Sequence, residues 1–130
     1  MKLQSKKVSV QKSGPQICEY MSEVGNYKEL MPENISKFEV LDDKSFVFGL
    51  KGMPEIALEV TKVDSPHTVV LGAKDSKFPF TLTAGITPET DQTSSVELLF
   101  DGEFNAVMAM MIKGPITKFI DTLASNLENL

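Results

Sequence analysis

The strongest constraint on this chain lies at its end. From about Ala106 to Leu127, the residues Met108, Met111, Ile112, Ile116, Phe119, Ile120, Leu123 and Leu127 recur at gaps of three and four. That spacing sets them along one stripe of an α-helix. A helix this long with a single apolar face needs a broad apolar partner. Asn105 stands where a side-chain cap belongs. Gly114-Pro115 falls inside the pattern. Proline there removes the bond to the Met111 carbonyl, which predicts a kink between Met111 and Gly114.

The partner is written in the middle of the chain as period-two patterning. Ile35, Phe38 and Val40 belong to a strand that ends at Asp42-Asp43. Phe46, Phe48 and Leu50 then share one face of a segment from Ser45 to Leu50, and Ile56, Leu58 and Val60 share one from Glu55 to Val63. Ser65-Pro66-His67 reads as a turn before a mostly apolar segment, Thr68 to Ala73. Phe80, Leu82, Ala84 and Ile86 alternate with threonines; a polar turn at Pro88 to Thr93 leads to Ser94–Glu103, with Val96, Leu98 and Phe100 on one side. Hairpin-like spacing makes the sheet antiparallel, and its single reliably apolar side leaves one covered face and one wet face.

Ahead of the sheet, Leu3 to Lys12 reads as a strand. Ser13-Gly14-Pro15-Gln16 carries the chemistry of a capping box with proline in the first turn. It predicts a helix from about Pro15 to Val24, ended by Gly25. Asn26-Tyr27-Lys28-Glu29 repeats the capping signature and starts a second, short helix whose buried side is Leu30 and Met31; Pro32 stops it. The expected fold is therefore α+β: a curved antiparallel sheet of about six to seven strands gripping a long C-terminal helix, with two short helices after strand one. No repeat or linker divides the chain, so residues 1–130 form one domain.

Charge and cysteine content narrow the function. The formal net charge is −5, and all 13 basic residues are lysines. Without arginine, the usual bidentate partner of phosphate and guanine, and with the wrong overall sign, nucleic-acid binding is not expected. The basic start at Lys2, Lys6 and Lys7 is not followed by an apolar run, and no segment is long enough to insert stably in a membrane. The single Cys18 suits a reducing compartment. A cytoplasmic protein is the expectation.

Catalytic constellations are not found. His67, the only histidine, sits in a turn and cannot build a zinc site or a triad without partners. Cys18, beside Ile17 on the first helix, reads as a small buried hydrophobe. Gly49-Leu50-Lys51-Gly52 is too short for a phosphate loop. Glu55 and Glu59, like Glu97 and Asp101, alternate with apolar residues and belong to the wet face. No polar residue interrupts the inward faces of the strands. Neither a cofactor nor a metal is called for.

The order of elements resembles the START-like (SRPBCC) superfamily, the helix-grip fold, over essentially the whole chain. Three segments carry the likeness: Ser13 to Val24 (SGPQICEYMSEV), Asn26 to Pro32 (NYKELMP) and the long amphipathic end helix. All are markers of fold rather than of chemistry. The resemblance, greatest to small bacterial members, implies an apolar cavity between sheet and last helix that takes a lipid, sterol, polyketide or similar small hydrophobic ligand. The expected role is carrier or sensor. A cyclase- or dehydratase-like enzyme and a ligand-free interaction module are the alternatives, and a homodimer is possible without being indicated. The expected lining is Phe46, Phe48, Ile56, Leu58, Leu71, Leu82, Leu98, Phe100, Met108, Met111, Ile112 and Phe119. Met108, Met110 and Met111 cluster at the start of the end helix, where flexible thioethers suit a wall that adapts to varied shapes. Met53 and Phe78, on two loops, are candidates for its rim.

Overall fold

Ser5 decides how the chain begins. The computed structural model describes residues 1–51, 55–74 and 79–130. The expected first strand is two short ones, β1 (Lys2–Gln4) and β2 (Val8–Val10). Between them the buried Ser5 gives its backbone N–H to the Leu98 carbonyl (2.8 Å) and takes the Leu98 N–H on its Oγ (2.9 Å). A side-chain oxygen thus stands in for a backbone carbonyl, and the ladder breaks at that point.

The capping box forms as the sequence expects. The Gln16 N–H donates to Ser13 Oγ, and the Ser13 N–H donates to Gln16 Oε1, opening α1 (Gly14–Ser22). The helix stops two residues short of Val24, because Glu23 is already extended, and Gly25 falls within a 3₁₀ turn at Val24–Asn26. Asn26 stands at the N-cap of α2 (Tyr27–Leu30) but makes no side-chain capping bond there. Its Nδ2 donates instead to the Tyr20 carbonyl (3.0 Å), which also accepts the Glu23 N–H (3.4 Å) at the end of α1. Leu30 is buried and Met31 half-buried.

Six longer strands follow: β3 (Ile35–Asp42), β4 (Ser45–Leu50), β5 (Ile56–Asp64), β6 (Thr68–Ala73), β7 (Phe80–Pro88) and β8 (Ser94–Gly102). They form one antiparallel sheet in the order β1-β8-β7-β6-β5-β4-β3, with β2 also on β8. The split of the first strand makes the number eight. Pro88, expected in a turn, closes β7 opposite Ser94.

Register explains the core. Residues directly opposite in antiparallel strands share a face. Val60, Leu71, Leu82, Phe100 and Leu3 make one cross-sheet row, and Phe38, Phe48 and Ile56 another. Over this face lies α3 (Ala106–Glu128), capped by Asn105, whose side chain accepts from the Met108 N–H, with Pro115 inside the helix. Its backbone packs on β1, β2, β8 and α2. Yet Phe119 of α3 stacks on Phe48 of β4, ring centroids 4.7 Å apart. One helix can meet strands from both ends of the sheet only if the sheet curves around it. Register shifts at Ile35/Lys37, Val40/Asp42 and Val60/Lys62 supply local bends.

Candidate functional site

Aromatic contacts lead from the interior outward. Tyr27 stacks on Phe46 at 4.9 Å, Phe46 neighbours Phe48 at 6.1 Å, and Phe48 lies under Phe119. The Tyr27 hydroxyl, fully buried, donates to the Met21 carbonyl (2.8 Å), and burial pushes the phenol well above its ordinary value. Tyr20 is also pushed up, to about 12, first by burial and then by its hydrogen bond to Glu29 (3.1 Å). Both phenols are therefore neutral hydrogen-bond donors at physiological pH.

At the outer end of this series the molecule opens. A cleft of about 230 Å³ lies between the middle of α3 and the end of β4, lined by Pro32, Asn34, Leu50, Lys51, Pro115, Lys118, Phe119 and Thr122. Leu50 and Phe119 are buried and form its floor; Lys51, Lys118 and Pro115 are exposed along its edges. Two hydrogen bonds brace it. The Lys51 N–H donates to the Asn34 carbonyl (3.1 Å), joining the two sides of the β3–β4 end. Asn126 Nδ2 donates to the Leu30 carbonyl (2.8 Å), tying α3 to α2.

The twelve residues expected to line a cavity are placed as follows. Phe46, Phe48, Leu58, Leu71, Leu82, Leu98, Phe100, Ile112 and Phe119 are buried in one core, and Ile56 and Met108 are half-buried. Met111 differs from the expectation: at 66% exposed it faces solvent, so it is not an inner wall. Met110, its neighbour in the methionine cluster, is 84% exposed. Of the twelve, Phe119 alone lines the cleft. The loop residues Met53 and Phe78 lie outside the described residues.

Sequence reasoning missed Leu50, Pro32, Asn34, Lys51, Pro115, Lys118 and Thr122 as cleft residues. One signal was present. Pro115, Lys118, Phe119 and Thr122 are spaced by three, one and three, a second helical stripe beside the apolar one. Its polar members conceal it from a search for apolar periodicity. The approach of Asn34 to Lys51 depends on strand pairing and has no local signal.

Elsewhere the charged side chains among the described residues stay outside. Among the described residues no carboxylate, lysine or histidine is buried, and His67 is exposed. Burial pushes the Cys18 thiol up, away from the reactive thiolate. Among the described residues no group of three or more His, Cys, Asp or Glu is placed to hold a metal ion, and no helix is long and apolar enough to cross a membrane.

Comparison with known proteins confirms the architecture. No family model matches the sequence, and no curated protein is close enough to match. Solved structures do match. A START superfamily protein from Mycobacterium smegmatis superposes with a TM-score of 0.70 at 16% identity, over 98% of this chain and 94% of that one. Norcoclaurine synthase from Thalictrum flavum gives 0.74 at 14% identity, over 99% and 84%. A protein from Thermobifida fusca gives 0.68 at 14%, over 98% and 90%. At such identities the likeness speaks for architecture, and that architecture is the START-like, helix-grip fold.

Proposed function

We propose that this protein binds a small, largely apolar molecule in the cleft between α3 and the β3–β4 end of the sheet, acting as a carrier or sensor. One observation carries the reading: a concave site floored by Leu50 and Phe119 opens directly onto stacked rings that continue into the core. Apolar area removed from water contributes about 25 cal/mol per Å², and since Leu50 and Phe119 are already almost fully buried, the gain comes chiefly from the ligand's own apolar surface, set against its ordering cost. Proteins of this fold do hold organic molecules in crystals. Norcoclaurine synthase has been seen with dopamine and hydroxybenzaldehyde. A cyclase or dehydratase reading has less support, since the one fully buried phenol, Tyr27, is committed to Met21.

The test is titration with 1-octanol, a neutral apolar probe, followed by amide chemical shifts. Saturable shifts should appear at Leu50, Phe119 and Thr122. A Thr122→Trp variant, which fills the cleft from its half-buried wall, should abolish them. A Met111→Trp variant should leave them unchanged. Absence of saturable shifts up to the solubility of the alcohol contradicts the proposal.

A further inference from the structure

The charges around the cleft run against those of the chain. Acidic residues outnumber basic ones, 18 to 13, yet among the described residues the lining holds two lysines and no carboxylate. Two lysines elsewhere are paired, Lys37 with Glu55 (3.0 Å) and Glu39 (3.8 Å) and Lys74 with Asp42 (3.1 Å), so what sets Lys51 and Lys118 apart is their place on one cleft. Lys51 and Lys118 belong to no ion pair among the described residues. They arrive from different elements, one just after β4 and one on α3, and flank the same apolar floor. Thr122 spends its hydroxyl proton on the Lys118 carbonyl (2.8 Å), so it offers no donor to a ligand and the attraction for an anion comes from the lysines.

From this we propose that the ligand is a short amphipathic monoanion, with an apolar body on Leu50 and Phe119 and a carboxylate head between the Lys51 and Lys118 ammonium groups. The inference rests on the cleft being the binding site and adds the chemical class of what enters it. Size sets the second limit. A cleft of about 230 Å³, open on one side, suits a short body such as that of a medium-chain or small aromatic acid. Lysine acts here as a point charge, without the bidentate fork of arginine, so the site selects for negative charge more than for head geometry. Because both ammonium groups are exposed, salt weakens the contribution.

The test compares octanoate with 1-octanol, equal in chain length and different in charge, at low ionic strength. Wild-type protein should bind octanoate about tenfold more tightly, the combined effect of two solvent-exposed ion pairs. A Lys51→Gln/Lys118→Gln double variant should lose that preference while its octanol affinity holds, and added salt should erase the preference in wild type. A control that removes the same charge far from the cleft, Lys2→Gln/Lys7→Gln, should retain it. Equal affinity for the two probes in wild type, or a preference that survives in the Lys51/Lys118 variant, overturns this inference and leaves the binding site standing. If neither probe binds, the site itself falls.

Discussion

The two halves of α3 read alike in sequence and behave differently in space. In the second half Phe119, Ile120, Leu123, Ala124 and Leu127 are all at most 4% exposed, and Asn126 ties this half to α2 through the Leu30 carbonyl. In the first half Ile112 and Ile116 are buried and Met108 half-buried, but Met111 on the same stripe is 66% exposed, beside Val107 and Met110 at 69% and 84%. The cleft lies where the two halves meet, from Pro115 to Thr122. Apolar periodicity thus tells which side of a helix is available for burial. Whether anything lies there to bury it depends on partners that are distant in sequence.

Truncation on either side of the junction is the sharpest way to break this contrast. Leu123→Ala removes a fully enclosed side chain and should lower stability by about 2–5 kcal/mol. Met111→Ala, on the same helix, should stay within about 0.5 kcal/mol of wild type. Urea unfolding of the two variants measures the difference; similar losses would mean that the first half is packed as tightly as the second.

A smaller effect is expected at the inner end of the aromatic series. Tyr27→Phe keeps the ring against Phe46 but leaves the buried Met21 carbonyl without its donor, so a loss of about 1–3 kcal/mol is expected. Octanol affinity at the cleft should be unchanged, because the closed end is scaffold. A variant of wild-type stability but altered affinity would merge the two regions into one site.

The smallest effect belongs to the β3–β4 hairpin tip, which is part of neither region. Asp42 is held down to about 2, first by the Lys44 backbone N–H and then by the Ser45 and Lys74 side chains. A carboxylate lowered in the folded state stabilises above its unfolded value, near 3.8, and loses that contribution as pH falls through about 2. Asp42→Asn should therefore be slightly less stable than wild type at neutral pH, with the gap narrowing below about pH 4. A gap that persists at pH 2 would assign the effect to packing.

Much of the scaffold is legible in the sequence because its signals are local. The Ser13–Gln16 capping box, the Asn105 cap, the alternating Phe46/Phe48 and Leu82/Ala84 faces and the stripe of α3 each depend on residues a few positions apart. The breaks come where a distant group competes. Ser5 splits a strand because Leu98 offers it both partners, and Asn26 deserts its cap for the Tyr20 carbonyl. The cleft is least legible for the same reason. Its floor joins Leu50 to Phe119 across the fold, and its lysines resemble ordinary solvated side chains until Asn34, Lys51 and α3 are brought together.

The most direct test is where a bound acyl chain rests. Intermolecular nuclear Overhauser effects from the terminal methyl of octanoate should reach the Phe119 ring and the Leu50 methyls. Contacts confined to Val107, Met110 and Met111, the exposed ridge of the first half of α3, would contradict the account.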